Sequence, residues 1–303
     1  MSENRNDLLI ALCGTLLVLA VAMPAGAAYV RPKIGGAQLG HMQAPMIMPD
    51  IFFDGVGMRV LNADGQPWPV FPWSQAPVLR PLVPPDEFDP NEPWAVLIGK
   101  AYNFQYGWDS ALLDPVTYPF PPNTAVWIRV MDQSDELETY FKDSLYAPLF
   151  GTPDAQGNPS PDIWMWDLRM RHNTSAVPDT FYGRLWATYE VYLGDAATGD
   201  EPLDGQGQPL YEASIVTLRW LRPCPYVLMG DLNYDCIVDF TDYSILAGQW
   251  LEESCAHPYW CDECDMDQAG GVNVVDLGCL AENWLVDCLA TPENPACTPR
   301  SGL

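Results

Sequence analysis

Near its C-terminus the chain reads Asp231-Leu232-Asn233-Tyr234-Asp235-Cys236-Ile237-Val238-Asp239-Phe240-Thr241-Asp242. Oxygen-bearing side chains fall at positions 1, 3, 5, 9 and 12 of this stretch. Calcium is a hard cation that takes six to eight oxygens, so a short loop wraps it only by offering an oxygen at nearly every second residue, with a backbone carbonyl at position 7 completing the shell. The stretch occurs twice. Residues 231–251 align without gaps on 265–285, at a period of 34, and the second copy places Asp265, Asp267, Asn273 and Asp276 at positions 1, 3, 9 and 12. Each copy departs once from the pattern. Ala269 at position 5 of the second has no ligand oxygen, and Cys236 stands at position 6 of the first, where a glycine usually makes the sharp turn.

Each loop leads into an apolar-periodic segment. Tyr243, Leu246, Ala247, Trp250 and Leu251 in the first copy, and Leu277, Leu280, Ala281, Trp284 and Leu285 in the second, fall at i, i+3, i+4, i+7 and i+8. That spacing predicts one face of a helix in each copy. Helices this short are not stable alone, so the two Trp/Leu faces are expected to pack on each other, with metal and disulfides supporting a small core. Pro223 and Pro225 preclude a helix before the first loop, so the unit is loop followed by helix, used twice.

Eight of the nine cysteines lie in this same region: Cys224, Cys236, Cys255, Cys261, Cys264, Cys279, Cys288 and Cys297. An even cluster in a small exported region predicts disulfides, with the connectivity open. Cys261-x-x-Cys264 also has the spacing of half a zinc site, but the export signal favours disulfides there too. That signal is residues 1–28: a polar start carrying Arg5, an apolar run from Leu8 to Ala22, and small residues Pro24 to Ala28 for cleavage after Ala27 or Ala28. An uncleaved anchor is the alternative. Cys13 lies inside the apolar run and is no lipidation site.

A formal net charge of -26 excludes nucleic acid as a partner and suits an exported protein that holds divalent cations. Hydrophobic content of 48% with 12% aromatics excludes wholesale disorder, and 30 Pro with 23 Gly imply many turns and short strands.

Residues 29–222 read as β. A polar, Met-rich lead-in with His41, Met42, Met46 and Met48 is expected to be an irregular arm over the body rather than a copper site. Strands are expected at Asp50–Phe53, Gly57–Asn62, Trp94–Tyr106, Thr124–Met131, Ile163–Met170, Leu185–Leu193 and Glu212–Trp220, with Leu137–Phe141 either a brief strand or a helical turn and a Pro-rich loop from Pro67 to Pro85. The fold class is therefore mainly β, an antiparallel jelly-roll-like β-sandwich at 29–222 followed by a small α module at 223–303.

The β region shows no nucleophile elbow, zinc-binding His pair or phosphate loop. His41 and His172 are isolated. Asp109, Asp132 and Asp167 sit near strand ends, as turn residues do, and a glycosidase acid pair is a matter of distances the sequence does not hold. Nine Trp lie between residues 68 and 220, most of them expected in the core, with Trp164 and Trp166 as the pair that would share one exposed face and stack on sugars.

The paired Asp-x-Asn-x-Asp loops ending in Asp, each followed by a Leu-Ala-x-x-Trp-Leu-like helix, resemble a type I dockerin, in the cysteine-bearing form of exported planctomycete-like bacterial proteins. The resemblance is confined to the last quarter of the chain. The β region resembles uncharacterised sandwich modules found with such dockerins, which names no activity. Position by position, the resemblance implies calcium ligands at Asp231, Asn233, Asp235, Asp239 and Asp242 with the Ile237 carbonyl, and at Asp265, Asp267, Asn273 and Asp276 with the Gly271 carbonyl, the second site being the weaker. It implies partner contacts at positions 10 and 11, Phe240, Thr241, Val274 and Val275, where core packing is the rival explanation. The implied function is docking of a non-catalytic exported protein, secreted or on a bacterial cell surface, onto a cohesin-like partner, its β-sandwich binding polysaccharide. A glycoside hydrolase with the same tail, or a structural cell-surface protein, are the alternatives.

Overall fold

The computed structural model describes residues 28–36, 44–257 and 259–301. The export signal up to Ala27, with Cys13, and the residues His41 and Met42 lie outside the described residues. In chain order the strands are β1 Ala28–Tyr29, β2 Asp50–Phe53, β3 Met58–Leu61, β4 Asp86–Glu87, β5 Lys100–Asn103, β6 Thr124–Gln133, β7 Glu138–Phe141, β8 Ala147–Leu149, β9 Ile163–Met165, β10 Asn173–Pro178, β11 Gly183–Asp195, β12 Ser214–Arg222, β13 Tyr226–Val227 and β14 Thr298–Pro299. Two helices, α1 Phe240–Gly248 and α2 Val274–Glu282, follow the two loops. Among the described residues no helix is long and apolar enough to cross a membrane.

The chain is mainly β, with antiparallel pairing throughout its larger sheets. One four-stranded sheet runs β5-β10-β7-β8 and another β12-β11-β6-β9. Side chains from both meet in one core: Ala101 and Val177 from the first, and Val126, Ile128, Leu185, Ala187, Tyr189, Val191, Val216, Leu218 and Trp220 from the second. The β2–β3 hairpin adds Ile51, Phe53, Met58 and Val60 to it. β11 is the longest strand because its period-two alternation runs unbroken; Leu185, Ala187, Tyr189, Val191 and Leu193 are all buried. Tyr192, on the opposite face, is buried too. The Arg129 guanidinium lies 4.7 Å from its ring centroid, and its hydroxyl donates to the Gly199 carbonyl.

Two expected strands are shorter than read. Trp94–Tyr106 is not one strand: Pro93 opens a tight helical turn through Leu97, Gly99 turns the chain at φ 72°, and only Lys100–Asn103 is extended. Apolar composition there had outweighed the Pro and Gly that punctuate it. Ile163–Met170 pairs only through Met165, after which Leu168 takes φ 60° and the Trp166 indole N–H donates to the Arg169 carbonyl. Trp164 and Trp166 are both buried, so they are core and not an exposed platform. Conversely β10, Asn173-Thr-Ser-Ala-Val-Pro178, is a central strand with no strand-like polarity pattern, because its Asn, Thr and Ser are themselves buried. The lead-in lies against the body, where Ile47 bridges Tyr106.

Candidate metal loops and their surroundings

The two loops adopt the same backbone plan. At position 12 the buried Asp242 accepts from the Leu232 and Asn233 amides at 2.7 and 3.0 Å through one oxygen, and from Asp239 at 2.9 Å through the other. Asp276 repeats this with Met266, Asp267 and Asn273 at 2.6, 3.3 and 2.9 Å. At position 1, Asp231 accepts from Asp235 and Cys236, and Asp265 from Ala269 and Gly270. Position 9 caps the helix: Asp239 accepts from Thr241 and Asn273 from Val275, and with position 12 each forms a reciprocal capping box. That box, Asp-x-x-Asp or Asn-x-x-Asp, was legible in the sequence and is a local reason for positions 9 and 12 alongside any metal.

Position 6 takes positive φ in both copies, 79° at Cys236 and 97° at Gly270. Glycine adopts this freely, whereas Cys236 carries a side chain into it. Its disulfide to Cys224 anchors that turn to the linker between the prolines. Cys255–Cys261 and Cys288–Cys297 are the other bridges.

Cys264 and Cys279 are unpaired, which corrects the expectation that all eight bond. Cys264 is buried with its thiol against the Ile245 carbonyl of α1. Burial pushes the Cys264 thiol up to about 12, and Cys279 is half-exposed. A maleimide added to the native protein is therefore expected to label Cys279 alone, with Cys264 following only after unfolding; mass-mapped labelling of Cys264 in the native state would contradict this burial.

The helices end earlier than their periodicity. Trp250 and Leu251 lie beyond α1, and Trp284 and Leu285 beyond α2; Leu251 and Leu285 take positive φ and are exposed. The faces therefore meet through Leu246 and Leu280, with Trp284 half-buried at the edge, not through paired Trp/Leu stripes. The four expected partner residues are all exposed. Phe240 is 73% accessible, Val274 71% and Val275 51%, which removes core packing as their explanation. Phe240 stands edge-on to Trp284 at 5.0 Å.

The loops differ in how their oxygens gather. Asp265, Asp267 and Asp276 each bring one carboxylate oxygen within 4.8 Å of the others, compact enough to share one ion. In the first loop Asp235 instead accepts from the Asn233 amide at 2.7 Å, although that loop carries the larger donor set. The Gly271 carbonyl accepts from the Asn273 side chain at 2.9 Å.

Electrostatics fit a cation. Burial, then the charges of Asp242 and Asp235, push the Asp231 carboxyl up to about 7. Burial pushes Asp242 up to about 6 against three backbone amides that pull it down, and raises Asp235 as well. Arg300 is the one Lys or Arg from 223 to 303, and its guanidinium is turned to the Cys224 and Tyr226 carbonyls. Hard oxygen donors held together without a positive partner are the donor set calcium takes.

Comparison with family models, with curated proteins and with solved structures finds no match to this chain.

In the β-body the isolated groups have local roles. The His172 ring contacts the Phe104 carbonyl at 3.0 Å in a buried setting, and Asp167 is ion-paired with Arg171. Aromatic side chains that keep some exposure gather elsewhere, in a cleft of about 500 Å³ where Phe181, Tyr182 and Trp186 of the body face Asn233, Asp235 and Thr241 of the first loop and helix.

Proposed function

We propose that residues 223–303 form a calcium-binding, dockerin-like module and that the chain is an exported, non-catalytic protein docking through it onto a cohesin-like partner. The observation that carries this reading is the duplication at atomic level: two loops, 34 residues apart, hold positions 1 and 12 by the same backbone hydrogen bonds and gather unneutralised carboxylates. Asp231, Asn233, Asp235, Asp239 and Asp242 with the Ile237 carbonyl would hold one ion, and Asp265, Asp267, Asn273 and Asp276 with the Gly271 carbonyl the other. The exposed residues Phe240, Thr241, Val274 and Val275 would meet the partner. The three disulfides suit an oxidising, extracytoplasmic compartment.

The body, with its two sheets over one core, is read as a β-sandwich binding module. With Trp164 and Trp166 internal, the place for a polysaccharide is the aromatic cleft around Tyr182 and Trp186.

Calcium titration of the full chain by calorimetry tests the module. Two binding events are expected, reduced to one by Asp231→Ala and to one by Asp265→Ala. A flat titration of the calcium-depleted protein would end the reading.

A further inference from the structure

The charged and aromatic side chains between the β-body and the module form a continuous pile. The Arg219 guanidinium lies 4.5 Å from the Trp73 ring centroid, and Arg184 lies 5.1 Å from the same ring. Arg184 then lies 5.7 Å from the Tyr234 ring, and Arg300 also lies 5.7 Å from it. Cation and ring alternate through five side chains, three from the body and two from the module. Such contacts strengthen as water is excluded, and Trp73 and Tyr234 are both more than nine-tenths buried.

Tyr234 is position 4 of the first loop, between Asn233 and Asp235, and its φ of 67° is part of the loop's wrap. Its hydroxyl donates to Glu263, two residues before the second loop begins. Arg184 donates to the Asp262 carbonyl at 3.4 Å, and Gln75 of the body donates to the Tyr259 hydroxyl at 2.6 Å. The first loop therefore touches the seat through Tyr234, and the segment 259–263 that leads into the second loop touches it as well. The counterpart of Tyr234 in the second copy is Gln268, which is exposed. Charge favours the same seat. Arg184, which reaches the Asp262 carbonyl and the Tyr234 ring, makes no ion pair with a carboxylate among the described residues, and it faces a module with 14 acidic residues, one Arg and no Lys.

We infer that the Trp73–Arg184–Arg219 face of the β-body is an internal docking surface for the module, and that filling the calcium loops fixes Tyr234 in it, so that the ion sets how firmly the two parts are joined. The physical link is short. The direction of Tyr234 is set by the loop backbone, and that backbone closes around carboxylates that repel one another until a cation lies among them. This inference rests on the calcium reading above.

Hydrogen exchange on the full chain, with and without saturating calcium, tests it, alongside equilibrium dialysis to count bound ions. Calcium is expected to slow exchange about tenfold or more in the body segment 72–76 and in module segment 259–263. In Tyr234→Gln, which installs the residue of the second copy, and in Arg184→Gln, that calcium-dependent slowing at 72–76 disappears while calcium uptake persists. Slow exchange in α2 reports that each variant is folded. Calcium uptake with exchange at 72–76 unchanged in the wild type overturns the coupling and leaves the calcium reading standing. No uptake overturns both.

Discussion

On the calcium reading, withdrawing the ion from the full chain, with its three disulfides intact, is expected to lower the melting temperature of the C-terminal module by about 10–20 °C. The expectation follows from linkage. A ligand present at a hundred times its dissociation constant stabilises the form that binds it by about 2.7 kcal/mol, and each kcal/mol moves the midpoint of a domain of this size by about 4–8 °C. The effect is large because the module has little else to lose. Its core is a cluster in which half the buried residues are cysteines, with Leu228, Leu232, Val238, Leu246, Val272 and Leu280 as the rest. Neither helix exceeds nine residues, well short of the length that is stable alone. Differential scanning calorimetry with and without a chelator measures it. Asp231→Ala and Asp265→Ala each give part of the shift, and neither adds to it in chelator beyond the cost of its own lost hydrogen bonds, about 1–3 kcal/mol. Superimposable transitions with and without the ion, at intact disulfides, would remove calcium from the fold.

What was legible in the sequence was what is local. The duplicated twelve-residue stretch was visible as a repeat of carboxylates and amides, and both copies fold on the same backbone hydrogen bonds at positions 1 and 12. The alternation of Leu185 to Leu193 is likewise a local signature of a strand with one buried face. The failures have physical causes of the opposite kind. β10 was missed because Asn173, Thr174 and Ser175 are buried by strands distant in sequence, a tertiary fact no window shows. Trp164 and Trp166 alternate as a platform would, yet Phe141 and Phe150 pack on Trp164 from β7 and from beyond β8, so sequence parity put the pair on one side without saying that side was inside. Cys264 and Cys279 make the cysteine count even, yet both are free, because pairing depends on where the fold puts each thiol and not on the count. The seat of Tyr234 between Arg184 and Arg300 joins residues 50 and 66 positions apart, and only the folded chain brings them together.

The calcium-free protein is expected to lose stability as pH rises from about 4 to 7, the reverse of the usual acid unfolding. Asp231 and Asp242 have folded-state values of about 7 and about 6, above the ordinary carboxylate value of about 4 that they regain on unfolding. Between those limits the folded chain holds more protons than the unfolded one, so the slope of unfolding free energy with pH is negative. The contribution is fully present below pH about 4, falls through the window, and is spent above pH about 7. As the two carboxylates repel each other, the pair titrates together and its contribution is smaller than two independent terms. Carboxylates held low by hydrogen bonds, such as Asp195 and Asp204, pull the other way only below their ordinary value, which places the optimum of the metal-free form near pH 4 to 5. Calcium reverses the sign across the same window, because the ion competes with those protons and binds the ionised form. Urea unfolding of calcium-depleted protein at pH 4.5 and 7.5, followed by circular dichroism, reads the slope directly. Asp231→Asn removes the charge and keeps one of the two acceptor oxygens that meet the Asp235 and Cys236 amides, and it is expected to flatten the slope. A metal-free chain more stable at pH 7.5 than at pH 4.5 would show that the folded chain does not hold these carboxylates above their ordinary range.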